Sequence, residues 1–242
     1  MKIVNNNVFN KYPQYICIRI FMPCYMDVLN RLNTGDIVLF SCKDNLISLA
    51  IQLVTNSKWS HMGMIFKDYE KDVIYLWEST TLSNIKDVTD RTFKKGVQLV
   101  LLSERIKNYN GEIAIRHLLG TKIENDPKAK QALIQLQQEL QNRPYEQHKL
   151  ELLRAAIDGF GKISENVEDL SSVFCSELVA EAYHCMGLLD LSEPANEYTP
   201  KDFSEAGKLK LLKGAYLGPE HAIKDLEQKQ EEYSDFKEAV MI

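Results

Sequence analysis

A cysteine opens an amphipathic helical pattern in the stretch Val173-Phe174-Cys175-Ser176-Glu177-Leu178-Val179. The pattern predicts a helix that runs on to Met186, with an apolar stripe that does not need the cysteine for its packing. Ser171 and Ser172 are suitable N-cap residues, which places Cys175 in the first turn. A helix N-terminus favours a negative charge, and a thiol attacks as its thiolate. The stretch therefore predicts a reactive cysteine, against the alternative of a small core residue.

A candidate base lies far upstream of the cysteine, in Trp59-Ser60-His61-Met62-Gly63, which begins a predicted strand. An imidazole can take the proton of a thiol and so produce the nucleophile. His184 follows Cys175 by nine residues on the predicted helix and therefore faces away from it. Two other histidines fit surface or structural roles, His117 and His148. His61 is the preferred base, in the chain order histidine then cysteine.

A carboxylate is predicted to stand beside this histidine. The strand patterns Ser60–Phe66 and Asp72–Glu78 form a hairpin with its loop at Asp68–Lys71. In that register His61 stands directly opposite Glu78, whose carboxylate would hold one imidazole nitrogen and leave the other for the thiol. The alternative is an ordinary half-exposed histidine–glutamate pair, and a slip of one residue would put the two side chains on different faces.

The composition is that of an ordinary globular protein, with 242 residues, 45% of them hydrophobic and 26% charged. A net charge of −5 gives no reason to expect a nucleic-acid partner. The five cysteines form no CxxC pair, so neither a disulfide framework nor a structural zinc site is expected, and a reducing, cytoplasmic location is predicted. Export without a cleaved signal stays an alternative. No apolar run reaches the ~18–20 residues that span a bilayer, and contact with a membrane surface is left open.

Strand patterns dominate the first half of the chain and helical patterns the second. The predicted strands are Ile37–Phe40, Ser60–Phe66, Asp72–Glu78, Val97–Leu102, Glu112–Arg116 and Lys208–Leu212. Four helices are predicted in addition to the one that begins near Cys175. One covers Asn45–Val54, one covers Leu150–Phe160, and a short one covers Thr199–Phe203. The remaining one begins at the cap Asp126 and Pro127 and has the apolar stripe Leu133, Leu136 and Leu140. Arg143-Pro144 is expected to separate the two middle helices.

Five motifs in a fixed order resemble one family of hydrolases. They are Asn33-Thr34-Gly35-Asp36-Ile37-Val38-Leu39-Phe40, Trp59-Ser60-His61-Met62-Gly63-Met64, Glu78, Phe174-Cys175-Ser176-Glu177-Leu178-Val179 and Tyr198-Thr199-Pro200. In this order they resemble the permuted NlpC-type papain-like cysteine hydrolases, and most closely the YiiX/YaeF-like amidase branch, which has poxviral relatives. Papain-like enzymes place the cysteine helix before the histidine strand, and the permuted branch reverses that order, as this chain does. The resemblance covers about Asn33–Thr80 and Arg143–Leu212.

The resemblance implies a fold, a domain plan and a set of site residues. The implied fold is α+β and permuted papain-like, an antiparallel sheet or partial barrel packed against the helix that carries the nucleophilic cysteine. Residues 1–32 are then an N-terminal extension, 33–219 the hydrolase domain with a helical insertion at 125–161, and 220–242 a charged tail. The predicted catalytic residues are Cys175, His61 and Glu78. The predicted substrate contacts are Tyr145, Ser60 and Ser176. No metal or organic cofactor is implied.

The predicted function is that of a cysteine hydrolase. It would cleave an amide or ester bond of a peptide, isopeptide or lipid-type substrate through an acyl-enzyme on Cys175, with His61 as the base. Three alternatives stay open on the sequence: an acyltransferase that uses the same site, a non-catalytic lipid- or peptide-binding module on the same scaffold, and a zinc protein that uses His61, Cys175 and Glu78 as ligands.

Overall fold

The computed structural model describes Val28 and residues 31–42, 46–141, 143 and 175–223. The chain divides into two compact units, Met1–Leu32 and Asn33–Ile242, and the sheet and helices below belong to the second. Several predictions fall outside the described residues: Tyr145, the helix over Leu150–Phe160, and the N-cap serines Ser171 and Ser172.

Antiparallel strands form the centre of the fold. They are β1 (Ile37–Ser41), β2 (His61–Asp68), β3 (Val73–Thr80), β4 (Gly96–Leu101), β5 (Glu112–Arg116), β6 (Leu118–Leu119), β7 (Tyr216–Leu217) and β8 (His221–Ile223). Six of them make one sheet in the order β4-β3-β2-β1-β5-β8, and β6 pairs with β7 in a separate two-stranded ribbon. The five strands predicted between Ile37 and Arg116 are confirmed to within two residues at their ends, since β-branched and aromatic side chains mark them clearly.

The strand β1 lies inside the sheet and is buried along its whole length. Its neighbours are β2 on one side and β5 on the other. A strand covered on both faces needs apolar side chains at every position, which explains the continuous run from Ile37 to Phe40. This run fixes the place of β2, because Phe40 pairs with His61 at the first residue of that strand.

Four α-helices are described: α1 (Leu46–Val54), α2 (Leu102–Lys107), α3 (Pro127–Leu140) and α4 (Cys175–Cys185). The predicted cap of α3 is confirmed, because Asp126 Oδ1 accepts hydrogen bonds from the backbone N–H groups of Lys128 and Ala129, both at 3.1 Å. The helix α4 ends before Gly187, whose φ of 68° suits a glycine at this position. The short helix α2 was not predicted.

One face of α4 packs against the sheet. Its residues Leu178, Val179 and Ala182 belong to the same buried cluster as Met62, Met64 and Trp77 of β2 and β3. Burying a leucine, valine or methionine side chain contributes roughly 1.5–3 kcal/mol relative to leaving it exposed. The hydroxyl of Tyr183 donates a 2.6 Å hydrogen bond to the Gly35 carbonyl, which ties α4 to the turn before β1. Together these contacts fix where the first residue of α4 lies relative to β2.

Two predictions near the C-terminal end of the domain are wrong. The segment Lys208–Leu212 forms no strand: its first residue, Lys208, adopts a φ of 53°, and the N–H of its last residue, Leu212, donates to the Leu188 carbonyl at 2.8 Å rather than to a strand. The segment Thr199–Phe203 is a turn rather than a helix, closed by Asp202 Oδ2, which accepts hydrogen bonds from the N–H and hydroxyl of Thr199 at 2.8 and 2.7 Å. The strand β8 uses three residues of the segment predicted as a charged tail.

Among the described residues, no helix combines the length and the apolar character needed to cross a bilayer.

Candidate active site

The hairpin of β2 and β3 brings His61 and Glu78 together, but in a register that differs from the prediction. Met64 pairs with Trp77, so Gly63 rather than His61 lies beside Glu78. The loop is the cause, because Asp68 still belongs to β2 and the connection runs over residues 69–72.

Two features of this loop set the register. The carboxylate oxygen Oδ1 of Asp68 accepts the backbone N–H groups of Glu70 and Lys71, both at 3.1 Å, and Asp72 turns the chain with a φ of 52°. The resulting shift is even, so His61 and Glu78 stay on the same face of the sheet. They meet diagonally, with 2.7 Å between His61 Nε2 and Glu78 Oε2.

The small residue between them makes this diagonal contact possible. A Cβ atom at Gly63 would lie 2.8 Å from Leu76 Cδ1 and 3.1 Å from Glu78 Cβ. Both distances are too short for ordinary packing. Glycine at this point in the Ser-His-Met-Gly motif therefore allows β3 to approach closely and lets the carboxylate reach the imidazole.

Glu78 is fully buried and uses both of its carboxylate oxygens. Oε2 faces His61, while Oε1 accepts hydrogen bonds from Arg105 Nε at 2.8 Å, Arg105 Nη2 at 2.6 Å and Gln98 Nε2 at 2.9 Å. Burial by itself raises the pKa of Glu78, but the positive charge of Arg105 and the hydrogen bond from His61 outweigh burial and lower the pKa to about 2. Glu78 is therefore a carboxylate throughout the neutral pH range.

Cys175 is the first described residue of α4 and is 6% exposed. The thiol and the imidazole of His61 interact closely enough for the thiol to raise the pKa of the imidazole. Since Nε2 of the imidazole faces Glu78, Nδ1 is the ring nitrogen left for another partner. The structure thus brings the three predicted catalytic residues into one chain of contacts, cysteine to histidine to glutamate.

The charge state of His61 follows from these two contacts. Burial by itself lowers the pKa of His61, but the interactions of the imidazole with the side chains of Cys175 and Glu78 outweigh burial and raise the pKa to about 9. The side chain is 15% exposed, so water reaches it only in part. A protonated imidazole between the side chains of a cysteine and a glutamate is an arrangement that can activate a thiol and later give a proton to a leaving group.

The predicted substrate contacts have different surroundings. Ser60 is 3% exposed, with its hydroxyl 3.5 Å from the Phe40 carbonyl and in contact with the phenol of Tyr109. Ser176 is fully buried and donates its hydroxyl hydrogen to the Tyr198 carbonyl at 2.5 Å. Each hydroxyl belongs to a residue adjacent in the chain to a predicted catalytic residue, and both hydroxyls already contact protein atoms. Tyr145 lies outside the described residues.

Sequence reasoning missed the two residues that hold Glu78 from the other side. Gln98 pairs directly with Glu78 across β3 and β4, and a polar residue within the apolar strand Gly96–Leu101 was the available signal. Arg105 lies on the unpredicted helix α2 and is fully buried. No spacing rule connects an arginine on a short helix to a glutamate on a strand, so the sequence offered no signal for it.

No group of three metal-ligating side chains occurs within the part of the chain that the structure describes. The cysteines at 42, 175 and 185 are free thiols. The site is built from a thiol, an imidazole and a carboxylate, whose oxygens are already occupied by protein donors.

An α+β fold with a cysteine at the head of a helix and a histidine–glutamate pair on the facing sheet defines the class of protein. Residues 31–211 match the family described as "Permuted papain-like amidase enzyme, YaeF/YiiX, C92 family". The chain belongs to this family of papain-like amidases, and so to a family of hydrolases.

Two individual proteins are similar to the chain. An uncharacterized protein of Acanthamoeba polyphaga mimivirus is 28% identical over 116 residues, which are 42% of this chain and 45% of that protein, so the chain matches less than half the length of this relative. The crystal structure of the metalloprotein yiiX from Escherichia coli O157:H7 is 20% identical, with a TM-score of 0.40, and the match covers 80% of this chain and 97% of that one.

Proposed function

We propose that the protein is a cysteine hydrolase that cleaves an amide or ester bond through an acyl-enzyme on Cys175. The observation that supports this most strongly is the position of His61, which contacts both the thiol of Cys175 and the carboxylate of Glu78. In this proposal Cys175 is the nucleophile, His61 moves the proton and Glu78 orients the imidazole. Membership of a family of papain-like amidases supports the same reaction class.

The first half of the reaction forms a thioester. The Cys175 sulfur attacks the substrate carbonyl carbon, a C–S bond forms, and the carbonyl electron pair moves to the oxygen. The backbone N–H of Cys175, at the start of α4, is a donor that can stabilise this oxyanion. When the tetrahedral species collapses, the bond to the amine or alcohol breaks, and the leaving group takes the proton that His61 carries.

The second half restores the thiol. A water molecule gives a proton to the neutral His61 as its oxygen attacks the thioester carbonyl, and the C–S bond breaks to release a carboxylic acid. The imidazolium and the thiolate are then present again. Glu78 stays ionised throughout and keeps Nε2 of the imidazole turned toward itself, which leaves Nδ1 for the sulfur and the substrate.

The proposed substrates are peptides, isopeptides, or lipid amides and esters. We place the choice among them in the helical insertion and at Tyr145, because these belong to the segment between the two halves of the site. Among the described residues of the site, Glu78 does not fit the role of a metal ligand. Both oxygens of Glu78 accept hydrogen bonds from protein donors, and one of these donors is a guanidinium. The metalloprotein description of yiiX therefore contributes no step to this mechanism.

The experiment that tests the proposal traps the acyl-enzyme. The protein is incubated with p-nitrophenyl esters of acetate, butyrate and palmitate, and intact and peptide mass spectrometry follows the added acyl mass. We expect an adduct on Cys175 that decays in water, is absent in Cys175→Ala and is strongly slowed in His61→Ala. The proposal would be contradicted if Cys185 were acylated as fast as Cys175, or if Cys175 were acylated as fast in His61→Ala as in the wild type.

The same experiment distinguishes hydrolysis from acyl transfer. Hydroxylamine or a simple alcohol is added while the adduct decays, and the products are measured. Free acid as the main product supports hydrolysis, whereas an acyl hydroxamate or ester at low acceptor concentration supports a transferase. A protein that forms no adduct but binds the ester with unchanged affinity in Cys175→Ala would be a binding module.

A further inference from the structure

The side of Glu78 that faces away from the histidine holds a buried arginine. Arg105 and Glu78 are both fully buried, and the guanidinium presents Nε and Nη2 to the same oxygen, Oε1, at 2.8 and 2.6 Å. Its third nitrogen, Nη1, donates to Asn84 Oδ1 at 3.0 Å. All three nitrogens of this side chain are therefore fixed by protein acceptors, and two of them are on the carboxylate that contacts His61.

Stability alone is a weak reason for such a pair. Desolvating a guanidinium and a carboxylate is costly, and replacing a buried ion pair by apolar residues of similar volume is often neutral or stabilising. The alternative reason is orientation and charge. A carboxylate whose Oε1 is held by a planar fork has its other oxygen aimed in one direction, and here that direction is Nε2 of His61.

We propose that Arg105 is a positioning residue for His61 and acts through Glu78. It holds the carboxylate in the orientation that meets the imidazole, and its charge balances the carboxylate so that His61 can release its proton to a leaving group. This inference rests on the proposed function, because it assigns Arg105 a part in the proton transfer of the same site. It also adds a fourth residue to the cysteine, histidine and glutamate.

The charge balance gives the direction of the effect. With Arg105 in place, Arg105 and Glu78 together are neutral. Without that positive charge the buried carboxylate is unbalanced, so the proton shared by Glu78 and His61 is held more tightly. Gln98 bonds the same oxygen as Arg105, at 2.9 Å, but carries no charge. Gln98 is therefore a matched control for the hydrogen bond without the charge.

The test compares Arg105→Lys with Arg105→Gln, which both offer a donor but differ in charge. The titration midpoint of His61 is read from its ring-nitrogen NMR signals, assigned by their loss in His61→Ala. We expect Arg105→Lys to titrate close to the wild type and Arg105→Gln to titrate higher by about 1 to 2 pH units. Gln98→Leu should leave the midpoint near that of the wild type.

Equal midpoints in Arg105→Lys and Arg105→Gln, or a lower one in Arg105→Gln, would overturn the inference. A purely structural arginine would lower the melting temperature of both variants without separating their midpoints. If Arg105→Gln does not fold, Arg105→Met takes its place, because it removes the charge, fills a similar volume and keeps Glu78. Its midpoint must then lie above that of Arg105→Lys, and equal values would again overturn the inference.

The failure of this inference can be told apart from the failure of the proposed function. The proposed function itself is refuted if wild-type His61 titrates near its ordinary pKa of 6.5 and if alkylation of Cys175 is as fast in His61→Ala as in the wild type. Only the role of Arg105 is refuted if the wild-type midpoint is raised and alkylation depends on His61, but the two Arg105 variants have the same titration midpoint.

Discussion

Replacing Cys175 by alanine should lower the pKa of His61. Among the influences that raise this pKa, the interaction with the side chain of Cys175 comes first and the interaction with the side chain of Glu78 comes second. Burial, which lowers the pKa, is unchanged by removing one sulfur atom at a position that is 6% exposed. The loss of Cys175 therefore removes more than half of the stabilisation of the imidazolium and leaves Glu78 as its remaining partner.

The size of the effect follows from the pKa of His61. A rise from the ordinary 6.5 to about 9 corresponds to about 3 kcal/mol in favour of the imidazolium. This rise is what remains after burial has lowered the pKa, so the contacts that raise it sum to more than about 3 kcal/mol. Cys175 supplies more than half of that sum, so its loss is worth more than about 1.5 kcal/mol and the midpoint of His61 should fall below about 8. A shift of that size is well above the precision of an NMR titration.

The assay follows the ring nitrogens of His61 between pH 5 and pH 10 in the wild type and in Cys175→Ala. The control is Cys185→Ala on the same helix, since that thiol donates to the Ala182 carbonyl. This control should keep the midpoint near 9. A midpoint that stays near 9 in Cys175→Ala would refute the reasoning, because Glu78 alone would then hold the proton and the thiol would not be the partner of His61.

Three further variants test other parts of the structure. Glu78→Gln should remove about 3 kcal/mol from the free energy of unfolding, a contribution that is present above pH 4.5 and lost as the pH falls through about 2. The free energy of unfolding of the variant should therefore depend less steeply on pH in acid than that of the wild type. An identical dependence would be evidence against the buried carboxylate. Gly63→Ala places a Cβ 3.1 Å from Glu78 Cβ, which pushes Glu78 away from His61 and should slow alkylation of Cys175 at pH 6. Unchanged alkylation would show that the close approach of β2 and β3 at Gly63 is not needed. Tyr183→Phe leaves the Gly35 carbonyl without its 2.6 Å hydrogen-bond donor. It should lower the free energy of unfolding in urea by about 1–3 kcal/mol while alkylation of Cys175 stays as in the wild type. An unchanged free energy of unfolding would mean that the hydrogen bond does not anchor α4.

The sequence was sufficient for the five strands between Ile37 and Arg116 and for the face on which His61 and Glu78 lie. Alternation along β2 and β3 assigned His61 and Glu78 to one face of the sheet. The predicted pairing of the two strands was wrong by an even number of residues, so both side chains stay on that face. The register itself depended on Asp68, which extends β2 and caps the loop through its side chain. A single aspartate at a strand end is compatible with either loop, so the pattern could not choose between the two.

The environment of Glu78 could not be predicted because it depends on tertiary contacts. The helix α2 has six residues, Leu102–Lys107, which is too short for a hydrophobic period to be recognised. Arg105 of that helix reaches Glu78 across 27 positions of sequence. Arginine in a charged segment is ordinarily a surface residue, and only the fold shows that this one is buried against the carboxylate of Glu78.

The central claim is that Cys175 is activated by His61, and the pH dependence of alkylation tests it most directly. Iodoacetamide labelling is measured from pH 5 to pH 10 in the wild type and in His61→Ala, with peptide mass spectrometry resolving the cysteines. Cys185 is an internal control, because burial and the nearby charge of Glu181 raise its pKa to about 11. The account predicts fast labelling of Cys175 at pH 6, well below the ~8.5 at which an ordinary thiol ionises, and loss of this reactivity in His61→Ala. Slow labelling of Cys175 at pH 6, equal in the two proteins, would contradict the account.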